Sequence, residues 1–188
     1  MAIVLEGPDG AGKTSLARRL QVTNPNLMYY HSGGAPSCEE QENEFLAHQV
    51  ELAGRSDCII DRLTCISQQV YRDGRLWEAK LKRSLEDVLK RDHTIVIYCR
   101  PSTDHLMSPE KLNWRDVETE EYKQEVIRNQ HKFIERYDKL FQTIPHIHFD
   151  FSDDFAEVLF PLIAAAPVSQ GALVELYRLM VLKTCKAY

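Results

Sequence analysis

The sequence lacks the features that mark secreted, zinc-bound or membrane-spanning proteins. Its five cysteines are odd in number and contain no C-x-x-C pair, so neither a disulfide framework nor a zinc site is predicted. No apolar run approaches the roughly 18 residues of a membrane helix. The N-terminus also shows no charged start followed by a long apolar core. We therefore expect a cytoplasmic protein with no membrane partner.

An excess of positive charge is also missing. The formal net charge is −5, so the chain as a whole does not attract nucleic acid, and any contact with DNA needs a local basic patch. The candidates are "KLKR" at 80–83, "KRDH" at 90–93 and a C-terminal segment with Arg178, Lys183 and Lys186. A solvated helix face is the simpler explanation of each stretch.

Short apolar runs alternate with longer amphipathic stretches along the chain. The runs that fit strands are 2–6, 27–31, 57–61, 94–99 and 146–151, and the helical patterns are 15–21, 39–53, 76–89 and 119–142. This alternation predicts βαβ units and a parallel sheet with helices on both faces. In the first, third and fourth runs the apolar residues are nearly continuous, which is typical of strands buried on both faces.

The length of 188 residues and the hydrophobic fraction of 44% are those of a single globular domain. We assign residues 1–166 to this domain. Pro167 and Gly171 then precede a further helical pattern, so residues 167–188 are predicted to form an appended C-terminal helix. That helix packs either on the domain or on a second chain, which would make a homodimer.

Three glycines fall within six positions directly after the first predicted strand. The stretch "GPDGAGKT" (7–14) matches G-x-x-x-x-G-K-[ST] between a strand and a helix, the context that this phosphate-binding motif requires. Such glycines let successive backbone N–H groups converge on phosphate oxygens. Lys13 should reach the β and γ phosphates, and the Thr14 hydroxyl should ligate Mg²⁺. The residues predicted to hold ATP are Gly7, Asp9, Gly10, Ala11, Gly12, Lys13, Thr14 and Ser15.

A second group of polar residues follows the third predicted strand, which ends at Asp61-Arg62. A carboxylate at the C-terminal end of a parallel strand lies in the crevice where α/β sheets bind ligands. Asp61 can there orient Mg²⁺-bound water or take a proton from an acceptor hydroxyl, and Arg62 can neutralise phosphate charge. The alternative is that the pair caps the next helix. Beyond Arg62 we expect a loop that carries Ser67, Gln68, Gln69 and Tyr71.

The stretch "LEGPDGAGKT", the later "DR" and the S-x-x-x-Y spacing resemble the thymidylate-kinase-like group of P-loop nucleotide kinases. The resemblance covers residues 2 to about 150. It implies a P-loop NTPase-type three-layer α/β fold with a five-stranded parallel sheet, ATP and Mg²⁺ as cofactors, and a lid at about 100–118. Because the phosphate loop carries no arginine, the lid is expected to supply the catalytic cation, with Arg115, Lys111 and Arg100 as candidates.

The segment after the second strand bears on the acceptor. Thymidylate kinases have an arginine-bearing T-R-E-P-G-G segment there, which grips the acceptor monophosphate. Here "YYHSGGAPSCEE" (29–40) contains no arginine or lysine. This weakens the prediction of a monophosphate acceptor, although Arg72 or Arg75 can still supply a cation.

The stretch "HSGGAP" after the second strand and "DRLTCISQQVY" after the third also resemble phage-encoded kinases of this group. Those kinases phosphorylate the hydroxymethyl group of 5-hydroxymethyluracil in DNA. Their acceptor is a neutral hydroxyl, which needs no such arginine. His31, Ser32 and Tyr71 would then line a pocket for an extruded base, and Asp9 and Ser67 complete the predicted acceptor site.

Three functions stay open at this point. The first is a kinase of a modified pyrimidine in DNA, the second is a kinase of a free deoxynucleoside monophosphate, and the third is a non-catalytic ATP-binding module. Asp61-Arg62 and the lid-like segment argue against the third.

Overall fold

The computed structural model describes residues 2–31, 36–55, 57–71, 78–89, 94–108 and 119–151, with the backbone alone at 78–82 and 122. The strands are β1 (Ala2–Glu6), β2 (Met28–His31), β3 (Cys58–Asp61), β4 (Thr94–Cys99) and β5 (Ile147–Phe149). The helices are α1 (Lys13–Thr23), α2 (Glu39–Ala53), α3 (Thr64–Tyr71), α4 (Glu78–Leu89), α5 (Thr103–Leu106) and α6 (Glu120–Phe141). No helix in these ranges is both long and apolar enough to cross a membrane.

The five strands form one parallel sheet in the order β2-β3-β1-β4-β5. Every residue of β1 and β3 is buried, as the apolar runs predicted, because both faces of the sheet are covered. Alternate residues point to opposite faces. Val4 and Ile60 belong to a core with residues of α2, α3, α4 and α6, whereas Leu5 and Ile59 belong to a core with residues of α1. The predicted parallel sheet with helices on both faces is confirmed.

Most predicted elements are present with shifts of a few residues at their ends, and α2 has the predicted bounds. The predicted loop beyond Arg62 is wrong, since residues 64–71 form α3. The start of this helix depends on side chains from distant elements. The N–H of Leu63 donates to Glu6 Oε1 at 2.5 Å, and the N–H of Thr64 donates to Gln49 Oε1 at 2.7 Å.

Several predictions fall outside the described residues. They concern the lid residues 109–118 with Lys111 and Arg115, the C-terminal segment and its boundary at 166, Ser32, Arg72, Arg75, and the basic residues 90–93. Of the basic stretch at 80–83, the structure describes the side chain of Arg83, which is exposed.

Candidate active site

The loop between β1 and α1 is curled in a way that depends on its glycines. Gly7, Gly10 and Gly12 have φ values of 144°, 77° and 79°, which side chains with a Cβ rarely adopt. Gly7 is also closely packed, since a Cβ at this position would lie 2.2 Å from the carbonyl oxygen of Cys99. The backbone therefore has the curvature that the phosphate-binding motif predicts.

Lys13 is the first residue of α1 and is folded back onto this loop. Its Nζ donates hydrogen bonds to the carbonyl oxygens of Gly7, at 2.9 Å, and Pro8, at 2.7 Å. Burial lowers the pKa of the Lys13 ammonium, and the charge of Arg62 lowers it further, while Asp9 and Asp61 oppose both effects. The cation is thus held beside the curled backbone that would receive phosphate oxygens.

Asp61 ends β3, where the sheet register aligns it with Leu5 of β1 and His31 of β2. Its side chain is buried, and Oδ2 accepts hydrogen bonds from the Thr14 hydroxyl, at 3.4 Å, and the Tyr29 hydroxyl, at 2.5 Å. Oδ1 is buried without a hydrogen-bond partner among the described residues. The structure therefore brings together the two residues, Thr14 and Asp61, that were predicted to hold Mg²⁺.

These donors suit Mg²⁺. This ion takes hard oxygen ligands, and a protein commonly supplies only one or two of them while water and substrate phosphates supply the rest. The Thr14 hydroxyl and the unpartnered Oδ1 of Asp61 are such oxygens. A buried acceptor without a partner is costly, so a cation at Oδ1 would remove an existing penalty.

Arg62 has a left-handed backbone conformation, with φ of 73°, which is uncommon for a residue other than glycine. Its N–H donates to the carbonyl of Leu5 at 3.0 Å, and its own carbonyl accepts from Gln49 Nε2 at 3.2 Å. Together with the Glu6 and Gln49 contacts at the start of α3, these bonds hold the turn in place.

The Arg62 guanidinium is directed to the phosphate loop. Nη2 donates to Asp9 Oδ1 at 2.6 Å, and the guanidinium carbon lies 4.9 Å from the centre of the Tyr71 ring. The Tyr71 hydroxyl donates to Asp9 Oδ2 at 3.3 Å. Burial by itself lowers the pKa of Arg62, but the Asp9 carboxylate and the neighbouring Tyr71, Tyr137 and Glu6 outweigh it and hold this pKa well above its usual value. Arg62 is thus already paired with a carboxylate.

Helix α6 also reaches this loop, because Gln130 Nε2 donates to the carbonyl oxygen of Asp9 at 2.9 Å. Of the predicted acceptor residues, His31 lies half-buried at the end of β2. Ser67 lies on α3, and its Oγ is buried without a partner in the described part of the chain. Tyr71 contacts both Asp9 and Arg62, as described above.

Arg100, the one described candidate for the lid cation, is bound to α6. Its Nε and Nη2 donate to the two carboxylate oxygens of Asp138 at 2.9 and 3.1 Å, and the exposed fraction of its side chain is 15%. Such a two-point ion pair restricts the guanidinium. Arg100 is therefore held by Asp138, and the other two predicted candidates, Arg115 and Lys111, lie outside the described ranges.

Glu6 is a second buried carboxylate at this edge of the sheet. Its Oε1 accepts from the Leu63 N–H, and its Oε2 accepts from the Tyr137 hydroxyl at 3.3 Å. Burial raises its pKa to about 7, against the opposing effects of the Leu63 N–H, Arg62 and Lys13.

Sequence reasoning missed four residues that shape the site, namely Glu6, Tyr29, Gln49 and Gln130. Glu6 stands in the E-G-x-D-G stretch, so a signal for it was present. The other three belong to ordinary strand and helix patterns, and their contacts depend on which elements become neighbours.

No protein-family model matches the chain, and no curated protein matches it in sequence. Its fold, however, matches solved structures. YorR protein from Bacillus subtilis in complex with phosphorylated GDP shares 20% identity at a TM-score of 0.60, over 87% of this chain and 95% of that one. Deoxyadenosine kinase from M. mycoides with dCMP and dCDP shares 19% identity at 0.52, over 87% and 96%. Polyphosphate kinase 2 from Arthrobacter aurescens shares 15% identity at 0.54, over 93% and 68%.

At these identities the likeness establishes the fold. The chain has the predicted three-layer α/β fold of the P-loop NTPase type, with a five-stranded parallel sheet, and it shares this fold with P-loop kinases.

Proposed function

We propose that the protein is an ATP-dependent kinase that transfers the γ-phosphate to a nucleotide-type acceptor. The observation that carries this proposal is the contact between Thr14 and Asp61 beside the curled glycine loop. It pairs a hydroxyl with a buried carboxylate that has one unpartnered oxygen. Because such an oxygen is costly to keep without a ligand, its presence supports a site that binds Mg²⁺ or an acceptor hydroxyl.

In this proposal the acceptor oxygen bonds to the γ-phosphorus while the bond to the β–γ bridging oxygen breaks and ADP leaves. Asp61 either takes the proton of the acceptor hydroxyl or would hold Mg²⁺ through its unpartnered oxygen. Lys13 and the backbone N–H groups of the loop stabilise negative charge on the transferred group. Bound Mg²⁺ would neutralise charge on the phosphates.

The favoured acceptor is the hydroxymethyl group of 5-hydroxymethyluracil in DNA. A monophosphate brings a charge of about −1.5 to −2 and needs cations to bind it. Arg62 is paired with Asp9 and Lys13 is assigned to the phosphates of ATP, while the segment 29–40 has no arginine or lysine. A neutral hydroxyl needs only to be positioned near Asp61 and in line with the γ-phosphate.

The structural neighbours also support a nucleotide-type acceptor, because two of them were solved with bound nucleotides. YorR protein was solved with phosphorylated GDP, and the deoxyadenosine kinase was solved with dCMP and dCDP. These ligands support a nucleotide-type acceptor. They are equally compatible with a deoxynucleoside monophosphate, which is therefore the competing acceptor and is assayed in the same experiment.

The test measures the transfer of label from γ-³²P-labelled ATP, in the presence of Mg²⁺, to duplex DNA that contains 5-hydroxymethyluracil. The same duplex with thymine is the matched control, and thymidine monophosphate is assayed in parallel. We expect label on the modified duplex alone, with activity falling steeply between about 50 and 200 mM salt as phosphate contacts are screened. Efficient labelling of thymidine monophosphate without labelling of the modified duplex would establish the competing acceptor. Tight ATP binding without transfer of label to the modified duplex or to thymidine monophosphate would instead favour the third function, a non-catalytic ATP-binding module.

A further inference from the structure

We propose that Tyr29 is a positioning residue for Asp61. Its hydroxyl fixes the orientation of the Asp61 carboxylate, so that one oxygen faces Mg²⁺. Its hydroxyl and that of Thr14 hold Oδ2, so that Asp61 presents Oδ1 alone. The role rests on the proposed Mg²⁺-ATP function of the Thr14–Asp61 site. It adds to that function the orientation of the Asp61 carboxylate and the residue that fixes this orientation.

The sheet register brings the Tyr29 side chain to Asp61. Tyr29 is aligned with Ile59 of β3, two positions before Asp61, and side chains two positions apart point to the same face of a sheet. The Tyr29 ring packs against the core on the α1 side, which also contains Leu5 and Ile59. This packing restricts the ring, and its hydroxyl donates to Asp61 Oδ2.

The hydrogen bonds at Asp61 are distributed unequally over its two oxygens. Both donors, Thr14 and Tyr29, bind Oδ2, whereas Oδ1 has no partner in the described part of the chain. The exposed fraction of Asp61 is only 2%, so bulk water does not compensate. An ionised carboxylate can accept about four hydrogen bonds. Oδ1 is therefore the oxygen with free capacity for a ligand.

The Tyr29 hydroxyl should affect metal binding without contacting the metal. Residues that hydrogen-bond to metal-binding carboxylates orient them, and removing such a partner typically lowers metal affinity by about 10–100-fold. The last torsion of an Asp side chain is soft, so loss of the Tyr29 hydroxyl lets the plane of the Asp61 carboxylate rotate and its free oxygen turn away from the metal. Nucleotide binding without Mg²⁺ does not depend on this orientation.

Tyr30 is the matched control for Tyr29, since it carries the same hydroxyl on the same strand. It points to the opposite face, where it packs against the other core, and its ring centre lies 5.0 Å from that of His48. Tyr30→Phe therefore removes a hydroxyl from β2 without removing a donor from Asp61. Tyr29→Phe keeps the packed ring and removes only the donor.

The experiment measures binding of a non-hydrolysable ATP analogue by calorimetry, once with Mg²⁺ and once with EDTA, for the full chain and both variants. The ratio of the two affinities reports how strongly Mg²⁺ is coupled to the nucleotide. We expect Tyr29→Phe to lower this ratio about tenfold and Tyr30→Phe to leave it within twofold. A purely structural effect of Tyr29 would weaken both affinities alike and leave the ratio unchanged.

An unchanged ratio in Tyr29→Phe, with Mg²⁺-dependent binding intact in the parent, overturns the role of Tyr29 and leaves the proposed kinase standing. A parent protein that shows no Mg²⁺-dependent binding overturns the proposed function and the role of Tyr29 together. A tenfold fall in Tyr30→Phe as well would show that the effect is not specific to Asp61, and it would also overturn the proposal.

Discussion

The buried carboxylates of Glu6 and Asp61 lie at the ends of neighbouring strands and differ in how the protein hydrogen-bonds them. The exposed fractions of Glu6 at the end of β1 and Asp61 at the end of β3 are 0% and 2%. Both oxygens of Glu6 accept a hydrogen bond from the protein. At Asp61 one oxygen accepts two, and the other accepts none among the described residues.

One edge of the sheet thus carries both a structural carboxylate and one that can take part in chemistry. Glu6 holds the start of α3 through the Leu63 N–H, on the side of the sheet where Tyr137 packs. Asp61 points to the side of α1 and meets the phosphate loop at Thr14. A carboxylate with a protein donor at each oxygen holds neighbouring elements in place, whereas one with an unpartnered oxygen can bind a ligand.

The largest effect is expected from Asp61→Asn, which removes the negative charge and keeps the size of the side chain. The amide oxygen can still accept from Tyr29 and Thr14, so folding should survive. Phosphoryl transfer should fall by about 100–10,000-fold, the usual contribution of a general base. Transfer assays and a melting curve check both statements. If the variant melts early and its folded fraction keeps full activity, Asp61 has a structural role like that of Glu6.

Lys13→Ala removes the cation whose charge is felt by both carboxylates. We expect turnover to drop by about 100-fold or more, as for the loss of comparable electrostatic stabilisers. Lys139→Ala, at an exposed position in the last turn of α6, is the control and should leave turnover unchanged. Turnover of the Lys13 variant within threefold of the parent would contradict its assignment to the phosphate site.

Glu6→Gln tests the structural carboxylate through pH. Burial raises the pKa of Glu6 from 4.5 to about 7, so the folded state binds more protons than the unfolded state between these values. The parent should therefore lose stability as pH rises through this window, by at most about 1.4 kcal/mol per pH unit. Urea unfolding at pH 5 and pH 7.5 measures this loss, which should be absent in Glu6→Gln while activity stays within a few-fold. An equal pH dependence in both proteins would refute the assignment to Glu6.

The smallest effect is expected from Tyr137→Phe, the counterpart at Glu6 of the Tyr29 variant at Asp61. It removes one donor to Glu6, and the loss of one such hydrogen bond costs about 1 kcal/mol of stability. The coupling of Mg²⁺ to nucleotide should not change. Urea unfolding and the calorimetric ratio provide the two measurements. A loss of coupling equal to that of Tyr29→Phe would show that the two carboxylates act as one unit.

The strands and the glycine loop could be predicted because their signals are local. An apolar run, an amphipathic period or a glycine at a positive φ acts within a few neighbouring residues. Helix α3 could not be predicted in this way, since its first N–H groups bind Glu6 and Gln49, which lie 57 and 15 residues away. Arg62 was predicted to meet phosphate, but its pairing with Asp9, 53 residues away, had no signature in the sequence.

Local patterns in the amino-acid sequence suffice for the parallel α/β architecture, the curled phosphate loop and the choice of Lys13, Thr14 and Asp61 as candidates for chemistry. That Tyr29 and Thr14 both bind Oδ2 of Asp61, and that Gln130 reaches Asp9 across 121 residues, follows from the folded arrangement of the elements. Backbone preferences act along the chain. Which oxygen of a carboxylate stays free depends instead on strand order, register and the side chains that these bring together.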